Sequence, residues 1–146
     1  MPPELETALA TGDTAAVLAA TLRHFGCQAG SVHLLREGVL QLAAHEGLPP
    51  HIVQIVATVP VGKGIAGLAA ERREPITICN LQTDDSGQAR PSAKATGMEG
   101  TVAVPMLVGE ELRGVLGIAK ATAHDWTADE QTLLLKIASR LGEAAG

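Results

Sequence analysis

The sequence predicts an α+β fold. An antiparallel sheet carries the terminal helices on one face, and short helices and a long loop over a pocket on the other. Three observations predict it. Two pairs of strand-like runs are joined by short turns containing glycine, Arg36-Glu37-Gly38 and Gly109-Glu110-Glu111, and such hairpins pair antiparallel. Apolar residues recur at helical spacing near both chain ends. The 146 residues, 46% hydrophobic and 18% charged, supply one core and are expected to form a single domain over residues 1–146.

Each element has its own warrant. A short helical turn covers residues 4–10, with Leu5 and Leu9 four apart. Asp13 caps a helix over 14–24, where Val17, Leu18, Thr21, Leu22 and Phe25 share a face and Gly26 stops the run. Residues 31–35 and 39–45 form the first hairpin, and Gly47 breaks its second strand. Pro49-Pro50 precedes a brief helix over 51–57. Pro60 biases Val59 away from helix, so 59–61 is extended. Gly62 and Gly64 lead into a helix over 65–73, which Glu74-Pro75 ends, and 76–79 reads as a short buried strand. Residues 80–100 are polar and form a long loop with one helical turn at 92–96; loops of that length are often functional. Residues 101–108 and 112–119 make the closing hairpin, where Pro105 requires a bulge or a non-bonded ladder position. Thr127-Ala128-Asp129-Glu130 is a capping box behind Trp126, and Leu133, Leu134, Ile137 and Leu141 give the last helix its apolar stripe.

The formal net charge of −5 argues against nucleic acid or an anionic membrane surface as partner, since both require a basic patch. No run approaches the ~18 apolar residues of a membrane span. The start of the chain, MPPELETALA, lacks a basic region and an apolar signal core, so export is not expected. Cys27 and Cys79 are the only cysteines and form neither a disulfide framework nor a metal knuckle, which makes the reducing cytoplasm the expected compartment. Phe25 and Trp126 are the only Phe, Trp or Tyr residues, so no mechanism resting on a Tyr acid or an aromatic cage is available.

Four linked segments resemble the GAF domain family over about residues 14–142. SVHLLREGVLQLAAHEGLP is similar to its first hairpin, and VPVGKGIAGLAAERREPITI to its glycine turn, helix and following strand. GTVAVPMLVGEELRGVLGIAKA is similar to its closing hairpin, and DWTADEQTLLLKIASRL to its last helix. The resemblance implies an antiparallel sheet of about six strands backed by terminal helices. It also implies a role in small-molecule binding or dimerisation more often than catalysis. The family's bilin attachment is not supported, because no Cys-His pair occurs and the long loop holds no cysteine. Its cyclic-nucleotide motif is absent as well.

Other motifs compete for attention. Gly62, Gly64 and Gly67 spell G-x-G-x-x-G, and Asp84 and Asp85 follow at about the distance of a Rossmann ribose acid. Hairpins precede them and too little chain follows, so a tight strand-to-helix turn is the better reading. A Walker loop fails because Gly64 follows Lys63. Some enzymes resembling this family reduce free methionine sulfoxide with pocket cysteines. Cys79 is the one candidate here, without an evident resolving partner, and Ala66 stands where those enzymes carry a cysteine; a small buried cysteine is expected instead. His33 and His45 could meet across the first hairpin, but two ligands do not make a metal site.

The function expected is a non-catalytic sensor or regulatory domain that binds a small molecule, with no catalytic residue, no metal and no cofactor that the sequence names. Its pocket walls are expected from Ile65, Ile78, Thr101, Val104 and Met106, and its gate from the 80–100 loop with Asn80, Asp84, Asp85, Arg90 and Lys94. Arg90 and Lys94 either hold an anionic group or join internal ion pairs of a solvated loop. A homodimer through the terminal helices is expected. Alternatives are a thiol-dependent reductase of free methionine sulfoxide and an interaction module with a vestigial pocket.

Overall fold

The computed structural model describes residues 1–145. Helix α1 (Pro3–Thr11) leads into α2 (Thr14–Phe25), whose first turn is capped where Asp13 Oδ1 accepts the Ala15 N–H at 3.1 Å. Gly26 adopts the left-handed conformation and the Cys27 N–H closes on the Leu22 carbonyl, so α2 ends where the glycine requires. Strands β1 (Ala29–Arg36) and β2 (Val39–Glu46) form the first hairpin about Glu37 and Gly38, both at positive φ. Helix α3 (Pro50–Ile55) starts on Pro50 and stops two residues short of the sequence expectation. Next come β3 (Thr58–Pro60), α4 (Gly64–Arg72), β4 (Ile76–Ile78) and a four-residue helix α5 (Pro91–Lys94) within the long loop. The closing hairpin β5 (Thr101–Val108) and β6 (Glu111–Ala119) is followed by α6 (Ala128–Ala145).

The six strands make one antiparallel sheet in the order β3-β2-β1-β6-β5-β4. Pro105 pairs opposite Val115 on β6, while β4 reaches only Ala103 on the other side, so the missing N–H interrupts no ladder there. The register shift falls one residue later, between Met106 and Leu107.

Alternation along β5 and β6 divides two cores. Val102, Val104, Met106, Leu116 and Ile118 face Val17, Leu18, Leu134, Ile137 and Leu141 of the terminal helices. Helix α6 lies along β5 and β6, α2 lies along β1 and β2, and α1 touches both helices. Leu5 is fully buried in this core, so it adds nothing to the outer surface of the terminal helices. On the opposite face a smaller cluster joins Ala103, Val115, Leu40 and Val59 to Ala69 and Ala70 of α4.

Candidate functional site

The face opposite the terminal helices is only partly filled, and a cavity of about 150 Å³ lies beside the smaller cluster. Its floor is made of small side chains on three adjacent strands: Ala29 and Ser31 of β1, Gly117 and Ala119 of β6, Thr101 and Ala103 of β5. A Cβ added at Gly117 would meet nothing nearer than Ser31 Oγ at 3.7 Å, an ordinary contact, so this glycine is not there to relieve a clash. Ile52 and Val56 of α3, Ile65 and Ala66 of α4, and Leu81 and Met98 of the long loop close the other sides.

Polar groups enter this apolar box at few points. His33 Nε2 donates to the Val56 carbonyl at 2.8 Å, which fixes the neutral tautomer and ties β1 to the end of α3. Burial, opposed by that hydrogen bond, holds His33 below its ordinary value of 6.5. Thr101 Oγ1 donates to the Ile118 carbonyl at 3.2 Å and Thr96 Oγ1 to the Ala93 carbonyl at 2.6 Å, so both hydroxyls are spent within the wall. Lys63, at the N-cap of α4, and Arg90 are the cations of the lining, and no Asp or Glu lines it. The Arg90 stem lies across Gly64: a Cβ there would come 2.9 Å from Arg90 Cδ. Arg90 Nη1 is buried and has no hydrogen-bond partner among the described residues.

The glycine turn before α4 serves packing. Gly62 and Gly64 have positive φ, and a Cβ on Gly67 would lie 2.5 Å from the Pro60 carbonyl oxygen. Strand β3 is a three-residue antiparallel edge, not the central parallel strand that a dinucleotide fold requires.

The expected site residues divide accordingly. Ile65, Thr101 and Arg90 meet at the cavity. Val104 and Met106 do not: both are fully buried against the terminal helices, because strand alternation turns them away from Thr101 and Ala103. Ile78 is buried but outside the wall. Asn80 fastens the base of the loop, its Oδ1 accepting the Gln82 N–H at 3.0 Å. Asp84 Oδ2 accepts from the Ser86 hydroxyl at 2.7 Å, Asp85 is exposed, and Lys94 Nζ donates to the Asp84 carbonyl at 2.8 Å. These four are loop structure rather than cavity wall.

His33, Lys63 and the floor residues other than Thr101 were missed. The signal for the floor was present: in β5 and β6 small residues alternate with large ones, and cavities form where small residues face inward.

The cysteines also differ from expectation. Cys79 is exposed, not buried, and lies outside the cavity wall, with its carbonyl accepting the His124 N–H at 3.0 Å. Its thiol is raised above the ordinary value by a hydrogen bond to Asp125, then by desolvation and by that carboxylate's charge, against a backbone contact with His124. Burial lifts Cys27 to about 11, against the pull of Lys120. Neither thiol is set up as a thiolate nucleophile at neutral pH. His45 is exposed and lies opposite Ser31 rather than His33, and no cluster of three or more His, Cys, Asp or Glu residues could hold a metal among the described residues.

Three comparisons bear on this geometry. The sequence model described as GAF domain matches residues 11–144. The structure is similar to the GAF domain of a phosphoenolpyruvate-protein phosphotransferase from Coxiella burnetii, with 25% identity and a TM-score of 0.75 over 98% of this chain and 83% of that one. It is likewise similar to the corresponding domain from Acinetobacter, with 16% identity and a TM-score of 0.78 over 97% and 90% of the two chains. A free methionine-R-sulfoxide reductase from Neisseria meningitidis, in complex with its substrate, gives 18% identity and a TM-score of 0.80 over 98% and 84%. No curated protein matches the chain.

Proposed function

This chain belongs to the GAF domain family, whose sequence model covers residues 11–144, and from that premise we propose that it is a regulatory domain that senses a small molecule and catalyses no reaction. The observation that carries the reading is an apolar cavity with few polar groups and no thiol in its wall. Ala66, which resembles a cysteine position of the sulfoxide reductases, lines the cavity as alanine.

Gly117→Leu is the direct test. A Cβ there meets only ordinary contacts and Gly117 lines the cavity, so the variant should fold and lose binding. Thermal-shift screening of a metabolite library should find a compound that stabilises the wild type and not this variant. A library in which no compound shifts the wild type would favour a pure interaction module.

The second reading, reduction of free methionine sulfoxide, draws support from the fold shared with reductases. Coupling to thioredoxin, thioredoxin reductase and NADPH tests it. We expect no turnover of free methionine-R-sulfoxide above background. Turnover that disappears in Cys79→Ser would replace the sensor reading with an enzyme.

A further inference from the structure

We infer that the ligand of this cavity is a small monocarboxylate with a compact apolar body, its carboxylate held by Arg90 and its body resting on the floor around Gly117. This names the ligand class of the site proposed above and rests on that reading.

Charge gives the first argument. The protein is acidic, with a net charge of −5, yet the cavity lining holds Lys63 and Arg90 and no carboxylate. Among the described residues no ion pair engages either cation. His33 is neutral and already donates to Val56, so it neither cancels nor competes. A cavity with two unpaired cations favours an anion and disfavours an amine.

Arg90 supplies the second. A buried charged donor without an acceptor is costly, and structures rarely keep one unless something accepts from it. Its Nη1 is such a donor. The stem lies across Gly64, which brings the guanidinium to the cavity wall. A planar fork of this kind matches a carboxylate in two parallel hydrogen bonds.

Size and polarity give the third. The volume of about 150 Å³, in a cavity that is also open to solvent, accommodates a body about the size of a benzene ring. Ile52, Val56, Ile65 and Met98 offer nothing to a polar body. A phosphate dianion carries more charge and more acceptor oxygens than Arg90 with Lys63 at the rim and two serine hydroxyls, Ser31 and Ser92, can match in a wall that is otherwise mostly apolar. A branched or aromatic carboxylate of roughly six to nine non-hydrogen atoms meets both ends of the cavity.

Isothermal titration of the whole protein tests this with benzoate and 3-methylbutanoate, each against its neutral amide, and with inorganic phosphate. A carboxylate is expected to bind at least about tenfold more tightly than its amide, since charge-assisted bonds are the stronger ones. Phosphate is expected not to bind. Arg90→Met keeps a stem over Gly64 and should cost the carboxylate about tenfold or more while leaving the amide unchanged. Lys63→Met should cost less, because that side chain is exposed at the rim. Lys94→Ala, whose ammonium serves the loop, should cost nothing.

Equal affinity for acid and amide overturns the inference, as does an Arg90→Met variant, or an Arg90→Gln variant should Arg90→Met not fold, that binds both carboxylates as the wild type does. So does a panel that fails altogether. If the panel fails while a library compound of another class shifts the wild type but not Gly117→Leu, the site stands and only the ligand class falls. Benzoate binding that survives Gly117→Leu means instead that the cavity is not the site.

Discussion

His33 shows how one side chain couples the cavity to the fold. Its ring is nearly inaccessible and donates to the carbonyl that ends α3. Because its value is depressed in the folded state, the unfolded chain binds the proton more readily. The stability that neutral His33 contributes is therefore fully present above about pH 6.5 and is lost as pH falls through its lower, folded-state value. His33→Leu should flatten the decline in stability between pH 7 and 5, measured by urea unfolding at each pH. It should also cost about 1–3 kcal/mol at pH 7, the penalty for leaving the Val56 carbonyl without its partner. An unchanged pH profile would assign the acid sensitivity to other groups. Cys79 carries the opposite expectation. Exposed and held as a thiol by Asp125, it should tolerate Cys79→Ser with no change in melting temperature and no loss of ligand binding. A clear drop in melting temperature would show that the thiol is packed.

Among the elements, α6 is held most explicitly at its start. Thr127 Oγ1 accepts the Glu130 N–H at 3.1 Å, and Glu130 Oε1 accepts the Thr127 N–H at 2.8 Å while pairing with His124. Burial raises Glu130, but the Thr127 N–H and His124 outweigh it and hold the carboxyl below its ordinary value. Thr127→Ala should cost about 1 kcal/mol, read as a lower urea midpoint at unchanged slope. The box was legible because its residues are neighbours in sequence. The 80–100 loop was legible only as a loop. Gln82 Nε2 donates to the carbonyls of both Lys94 and Met98, at 3.0 and 2.7 Å, and so folds the segment onto itself. Which of its two cations faces inward follows from that folding: Lys94 is drawn to Asp84 and Arg90 is laid over Gly64. Composition treats the two alike.

At the scale of the molecule, the terminal helices cover one sheet face completely and the short elements cover the other incompletely. That asymmetry places the cavity. It also bears on the expected homodimer. With Leu5 buried inside the chain, the surface open to a partner is that of half-buried Leu9, Leu133 and Leu135 around α1 and α6. Sedimentation equilibrium at micromolar concentration should give a mass near twice 15.0 kDa, and Leu133→Glu should return it to one chain. A single-chain mass for the wild type would remove the dimer. No helix among the described residues is long and apolar enough to cross a membrane.

The sequence by itself determined what depends on neighbours along the chain. Turn glycines, the Asp13 and Thr127 caps and the period-2 and period-3.6 patterns each act within a few residues, so elements and antiparallel pairing could be read in order. Strand alternation also separates Thr101 and Ala103 from Val102, Val104 and Met106. Only the tertiary structure decided which set faces the cavity. The large residues went to the terminal helices, because a long amphipathic helix such as α6 buries the most apolar surface there. The small ones were left to line the space that shorter helices do not fill. The exposure of Cys79 was decided in the same way, since burial depends on what packs over a residue and not on the strand it ends.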